Sequence, residues 1–361
     1  MPATAAHFNG SVNLAEAASV FTEIAQRVPR GLRRLPDGET GERSNWIVYQ
    51  LPKFAECPQL VSSAANGDMD YSVMPRFELS DNATAEDIVW PDLGYAAAYR
   101  GSYEVFRSLR SSGVLPSDVR FQVQYPTPLA SVASWTIPEQ HVIIEESYRR
   151  ALFADLDELL DSVPHESIAV QWDVAIEFGI LEKCFPSDPS LDFDSIVDRI
   201  ARCVARVPPD VPVGLHLCYG DLGHKHFAEP DSLELQVRMV NELLRRSRRV
   251  INWVSFTVPQ DRDDQPYFAP LSDILATAKT ELAFGIVPYR PDDQPDGTVE
   301  RQVAAIDAML GAQTTWAVST ECGLGRSGRD EVLRLLDLHR EILEMSTQGT
   351  IGGEGTEDGV F

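Results

Sequence analysis

Short apolar runs alternate along this chain with longer segments whose apolar residues recur every three to four positions. The runs fall at 7–13, 31–39, 120–128, 168–177, 211–220, 250–259, 281–290 and 314–323. Most are rich in β-branched and aromatic residues and end in Pro, Gly or polar residues, the pattern of buried parallel strands. The segments between them have helical spacing. Residues 14–27 place Leu14, Ala18, Phe21 and Ala25 on one side, and 232–246 gather Leu233, Val237, Met239, Val240 and Leu243 among charges. Residues 298–310 carry Val303, Ile306 and Leu310, and 330–345 repeat Val332, Leu335, Leu336, Leu338 and Ile342. Eight strands with helical crossovers predict an α/β protein with a closed (β/α)8 TIM barrel. An open doubly wound sheet competes, but no G-x-G-x-x-G follows the first strand.

The pattern weakens in two places. Residues 59–90 are polar and weakly periodic, which predicts an insertion over about 59–95, either a lid at one barrel end or a surface loop. From residue 347 the chain becomes Gly-rich and acidic, which predicts a tail without a packed role after a single barrel over 1–346.

Composition narrows the partners. The net charge is −24, so the surface repels a phosphate backbone and an anionic membrane. No run approaches the roughly 20 apolar residues that cross a bilayer. Five cysteines in 361 residues are too few, and odd in number, for a disulfide framework. No basic segment followed by an apolar one opens the sequence. These features predict a cytoplasmic protein acting on a small-molecule substrate, with no nucleic-acid or membrane partner.

Candidate chemistry gathers at the ends of the predicted strands. His216 and Cys218 close the fifth run two residues apart, so in a strand they point to one side. Cys322 closes the eighth. Strand ends ring one mouth of a barrel, where these three can meet as nitrogen and sulfur ligands of zinc. The alternative is two small buried thiols and a hydrogen-bonded core histidine. The loop after the second run holds Asp37, Glu39, Glu42 and Arg43 between glycines, suited to an ammonium group or to acid–base work, or simply to a solvated turn. Asp173 sits inside an apolar run, costly unless paired or functional. Asp221, His224 and His226 follow the fifth run, with the two histidines as weaker metal candidates. Tyr125 ends the third run. Tyr289 and Arg290 end the seventh, where a guanidinium can grip an anion or pair with Asp292 or Asp293.

Taken in order, these segments resemble the catalytic barrel of cobalamin-independent methionine synthase, within the superfamily that includes uroporphyrinogen decarboxylase and zinc-dependent thiol alkyltransferases. N-G-S-V-N at 9–13 resembles the family's G-S-F-P segment, and D-G-E-T-G-E-R-S-N-W resembles H-G-E-x-E-R-N-D. V-Q-W-D resembles Q-I-D-E-P, H-L-C-Y-G resembles H-x-C-Y, and T-E-C-G-L resembles D-C-G-L. The resemblance implies Ser11, Glu39 and Asp173 on an amino-acid-like substrate and His216, Cys218 and Cys322 on zinc. The chain departs from the family where Thr257 stands for a fourth, glutamate ligand. It departs again where Arg290 stands for a catalytic histidine, and where Val174 and Ala175 replace E-P. It therefore implies a divergent single-barrel member performing zinc-dependent methyl or alkyl transfer to a thiol other than methionine synthesis itself. Catalytic roles fall to Asp173, Tyr289 and Arg290, and substrate contacts to Ser11, Asp37, Glu39, Arg43, Tyr125, Asp173 and Asp221. A zinc lyase or hydrolase, a metal-free decarboxylase-like enzyme using Arg290 and Asp173, and a non-catalytic ligand-binding barrel remain as alternatives.

Overall fold

A computed structural model describes residues 3–63, 75–276, 278–311 and 314–348. Eight parallel strands carry the fold: β1 (Ala3–Ala6), β2 (Arg34–Pro36), β3 (Arg120–Pro126), β4 (Ile168–Val174), β5 (Val213–Leu217), β6 (Trp253–Phe256), β7 (Glu281–Gly285) and β8 (Trp316–Ser319). Their hydrogen-bonded order is β1-β8-β7-β6-β5-β4-β3-β2. The two outer strands meet through parallel bridges, Ala6 to Leu32 and Ser11 to Gly38, so the sheet curls round into a TIM-barrel-like ring. The seam needs a close approach: Gly31 has φ +75°, and a Cβ there would lie 2.8 Å from the Ala5 Cα.

Outside the ring lie longer helices, among them α1 (Ala17–Arg27), α2 (Tyr95–Ser111), α3 (His141–Ser162), α4 (Phe193–Arg206), α5 (Glu234–Arg246), α6 (Thr298–Leu310) and α7 (Arg329–Gln348). Each forms because one stripe of its surface is apolar. In α4 that stripe is Ile196, Val197, Ile200, Cys203 and Val204, all buried. The Asp192 side chain accepts the Ser195 amide at 2.9 Å and starts the helix. The observed α6 coincides with the expected 298–310.

The first strand differs from expectation. It is the four small residues Ala3–Ala6, and the predicted 7–13 is the loop that leaves its end. Alanines lack the β-branched signature, so the pattern pointed to the next, more varied segment. The predicted insertion contains two short antiparallel strands, Leu60–Ser62 with Phe77–Leu79, and its residues 64–74 lie outside the described ones. The terminal helix α7 runs to Gln348, past the expected end of the barrel. The rest of the predicted tail lies outside the described residues.

The inside of the ring is partly polar. Gln122, Gln124, Gln171, Ser255, Thr257 and Ser319 are buried, where barrel cores ordinarily stack branched apolar residues. No helix among the described residues is long and apolar enough to cross a membrane.

Candidate metal centre

The C-terminal ends of β4, β5 and β8 build the site. His216 is the fourth residue of β5, and Cys218 follows its last. Cys322 stands three residues beyond β8. One ligand atom from each of these three lies within 4.8 Å of the other two, and they form the one such group found among the described residues. The two sulfurs are 3.5 Å apart. Tetrahedral zinc with bonds of about 2.3 Å to sulfur and 2.0–2.1 Å to nitrogen separates its ligands by roughly 3.5–4 Å. The spacing and the donor chemistry therefore both fit zinc, with three protein donors and a fourth corner left for substrate or water.

His216 is oriented by its neighbours. Its Nδ1 lies 3.3 Å from Asp173 Oδ1. Burial lowers its pKa, but the Asp173 hydrogen bond, the Cys322 sulfur and the Asp173 charge together raise it to about 9. An Nδ1–H directed at Asp173 leaves Nε2 as the ligand atom. Asp173 makes two further bonds: Oδ1 also accepts Gln171 Nε2 at 2.9 Å, and Oδ2 accepts the Trp46 indole N–H at 3.0 Å.

These side chains line a cavity of about 800 Å³, open space included, with Asn9, Ser11, Glu39, Trp46, Asp221 and Arg326. Apolar residues Ile47, Val48, Ile176, Leu222 and Phe227 complete its walls. Glu39 is buried and has a left-handed backbone, φ 52°. Burial and the nearby Asp173 charge push its carboxyl up to about 8. Ser11 lies against Gly323, where a Cβ would come within 2.2 Å of the serine oxygen. A side chain there would displace the Ser11 hydroxyl and crowd the Ser11 backbone at 3.0 Å. Asp221 pairs with His224 at 3.2 Å and Arg326 at 3.4 Å.

Other predicted residues lie elsewhere. Tyr125 is buried on the outer side of β3, where its hydroxyl donates to Asp155 Oδ1 on α3 at 3.0 Å. It does not line the cavity. Asp37 and Arg43 also stand outside it, as a buried ion pair with Ser102 donating to Asp37 at 2.7 Å. Asp37 in turn accepts the Glu39 amide at 3.0 Å. The pair therefore shapes the turn that presents Glu39. Tyr289 is a brace: its hydroxyl donates to the Gly323 carbonyl and accepts the Cys322 amide, each at 3.0 Å. Arg290 is exposed in a separate surface groove with Gln260, Asp261 and Asp293. Thr257 is not aimed at the metal donors. Its hydroxyl lies 2.8 Å from the Leu217 carbonyl and 3.0 Å from that of Glu321. Neither His224 nor His226 joins the metal group. His226 Nε2 lies 3.0 Å from Glu321, and its Nδ1 3.0 Å from Glu229. Burial lowers the His226 pKa, but these carboxylates raise it to about 10. The sequence reading passed over Trp46, Arg326, Asn9 and Gln171. Trp46, Asn9 and Gln171 each stand in a quoted segment, D-G-E-T-G-E-R-S-N-W, N-G-S-V-N and V-Q-W-D, while Arg326 carried no signal.

No family model and no curated protein matches the chain. Solved structures do. A B12-independent methionine synthase from Shewanella sp. W3-18-1, solved in complex with selenomethionine, aligns with TM-score 0.57 and 11% identity. The alignment covers 98% of this chain and 100% of that one. The chain has the methionine-synthase-like barrel fold. A putative vitamin-B12-independent methionine synthase from Listeria monocytogenes aligns with TM-score 0.53 at 11% identity, over 95% of this chain and 98% of that one. The methionine-synthase-like fold accounts for the full length of the barrel. At this identity the likeness speaks for architecture, and the chemistry rests on the residues.

Proposed function

We propose that this barrel holds one zinc ion on His216, Cys218 and Cys322 and transfers a methyl or alkyl group to a thiol, in a reaction other than methionine synthesis. The single observation that carries the reading is the convergence of one imidazole and two thiols within 4.8 Å at the barrel mouth. Bound zinc lowers the pKa of a ligating thiol and holds it as the nucleophilic thiolate.

The chain's own residues do the rest. Asp173 holds the His216 ring and contributes negative charge to the cavity wall. Beside it, Glu39 keeps a proton near neutrality. The Asp173 carboxylate suits a cationic end on the substrate, with the neutral Glu39 carboxyl beside it as a hydrogen-bonding group. Ser11 and Arg326 offer a hydroxyl and a guanidinium to an anionic end. The apolar wall from Ile47 to Phe227 excludes water from the transfer path.

Metal analysis of untagged protein tests the reading. We expect about one zinc per chain, lost in Cys218→Ser together with activity toward alkyl donors and thiols. Zinc content unchanged by Cys218→Ser would sink it. A lyase or hydrolase reaction on the same metal is the second reading, favoured by the Glu39 carboxyl, which keeps its proton and lines the same cavity as the metal donors. X-ray absorption with added thiols separates the two: a third sulfur at the metal supports transfer, and its absence supports the alternative. The exposed position of Arg290, away from Asp173, argues against the metal-free decarboxylase-like scheme.

A further inference from the structure

A hydrogen-bonded column of buried side chains runs along the inside of the barrel to the metal donors. It begins with Glu281, the first residue of β7, which pairs with Arg34, the first residue of β2. The second Glu281 oxygen pairs with half-exposed Arg33 at 2.7 Å. Arg34 Nε lies 3.3 Å from His7 Nδ1, and His7 Nε2 lies 3.0 Å from Gln171 Oε1. Gln171 Nε2 lies 2.9 Å from Asp173 Oδ1, which faces His216 Nδ1.

Donor chemistry fixes the direction of every link. A guanidinium can only donate, so His7 Nδ1 accepts. Burial and the Arg34 charge hold the His7 pKa well below its usual value, so the ring is neutral and its one N–H, on Nε2, points at Gln171. The Trp253 indole N–H donates to the same Gln171 oxygen at 3.2 Å. That leaves the Gln171 amide nitrogen as the donor, to Asp173 and to the Asn9 carbonyl at 2.6 Å. Asp173 Oδ1 thus receives Gln171 Nε2–H from one side and, from the other, the proton that His216 must carry on Nδ1 to ligate through Nε2, which lies 3.3 Å from the Glu321 carbonyl.

We infer that His7, Arg34 and Gln171 are positioning residues for the metal centre, acting through Asp173 to fix the ring and tautomer of His216. A half-satisfied polar chain in a barrel core costs more than apolar packing, and here each link from Arg34 to Asp173 joins a donor to an acceptor, with His216 donating to Asp173 from the other side. Outer partners of ligating histidines commonly set metal affinity in this way. The inference rests on the zinc reading above.

The test uses the full chain, with zinc affinity measured by chelator competition and cobalt(II) substitution read from its absorption bands. Gln171→Leu and His7→Leu should weaken zinc binding roughly 10–100-fold and shift the cobalt bands. His7→Gln keeps one acceptor and one donor, and should bind within about threefold of wild type. Gln122→Leu removes another inward-facing glutamine, bonded to the Phe8 carbonyl and outside the column. It should lower the melting temperature and leave zinc affinity alone. Unchanged affinity in both leucine variants of the column, or an equal loss in Gln122→Leu, overturns the inference while the zinc site stands. Wild-type protein that binds no zinc removes both. If the leucine variants do not fold, ¹⁵N spectra of the zinc-loaded wild type decide: His7 protonated on Nε2 and His216 on Nδ1 support the column, and His216 bound through Nδ1 overturns it.

Discussion

At the scale of single residues, Glu39 is the most informative side chain. A non-glycine residue in the left-handed region is strained and persists only where its surroundings hold it. Here the Asp37 carboxylate accepts its amide, and Arg43 and Ser102 hold Asp37. The carboxyl thus presented has its pKa raised to about 8 by burial and by Asp173. The folded protein then binds a proton that the unfolded chain releases near its ordinary value of 4.5, so stability falls as pH rises between about 4.5 and 8. The slope from one proton is at most about 1.4 kcal/mol per pH unit. Glu39→Gln should flatten the stability profile over that window, as read by urea titrations at several pH values; an unaltered slope would show that Glu39 titrates normally. Removing Arg43 works differently. Arg43→Ala strands Asp37 as a buried, unpaired charge, and a loss of about 3–5 kcal/mol is expected. Equal midpoints and slopes for this variant and wild type would count against the ion pair as the anchor of the turn.

At the scale of elements, the site depends on how the ends of β5 and β8 are tied together. The Thr257 hydroxyl sits between the Leu217 carbonyl, just before Cys218, and the Glu321 carbonyl, just before Cys322. The Tyr289 hydroxyl braces the same loop from the far side. Thr257→Val should cost about 1–3 kcal/mol by leaving buried carbonyls unpaired and should weaken zinc binding several-fold. A stability loss with zinc affinity intact would reduce Thr257 to a packing role. What the sequence disclosed also follows element boundaries. His216 and Cys218 were legible because residues two apart in a strand share a side, whatever the rest of the fold does. Tyr125 was not, because every residue of β3 after Arg120 is buried. A strand covered on both faces loses the alternation that separates inward from outward positions. There Gln124 stands against Gly10 at the inside, and Tyr125 faces α3. Gln171 shares a side of β4 with Asp173 by the same rule, but His7 and Arg34 were silent, single polar letters brought to it only by the curl of the sheet.

At the scale of the whole molecule, the metal donors join distant parts of the ring. β5 and β8 are separated by β6 and β7 in the sheet order, and the chain between Cys218 and Cys322 spans 104 positions. A ligand held by both strand ends binds only the folded, curled sheet, so its binding free energy adds to folding. At a hundred times its dissociation constant zinc would add about 2.7 kcal/mol, or a rise in melting temperature of about 3–4 °C for a chain of this size. Adding zinc to chelator-treated wild type should produce that rise, and Cys322→Ser should abolish it. Magnesium offers the control: as a hard cation it favours oxygen ligands over thiols, so it should leave the melting temperature unchanged. An equal rise with both ions would place the effect on the acidic surface of this −24 chain instead of on the clasp between β5 and β8.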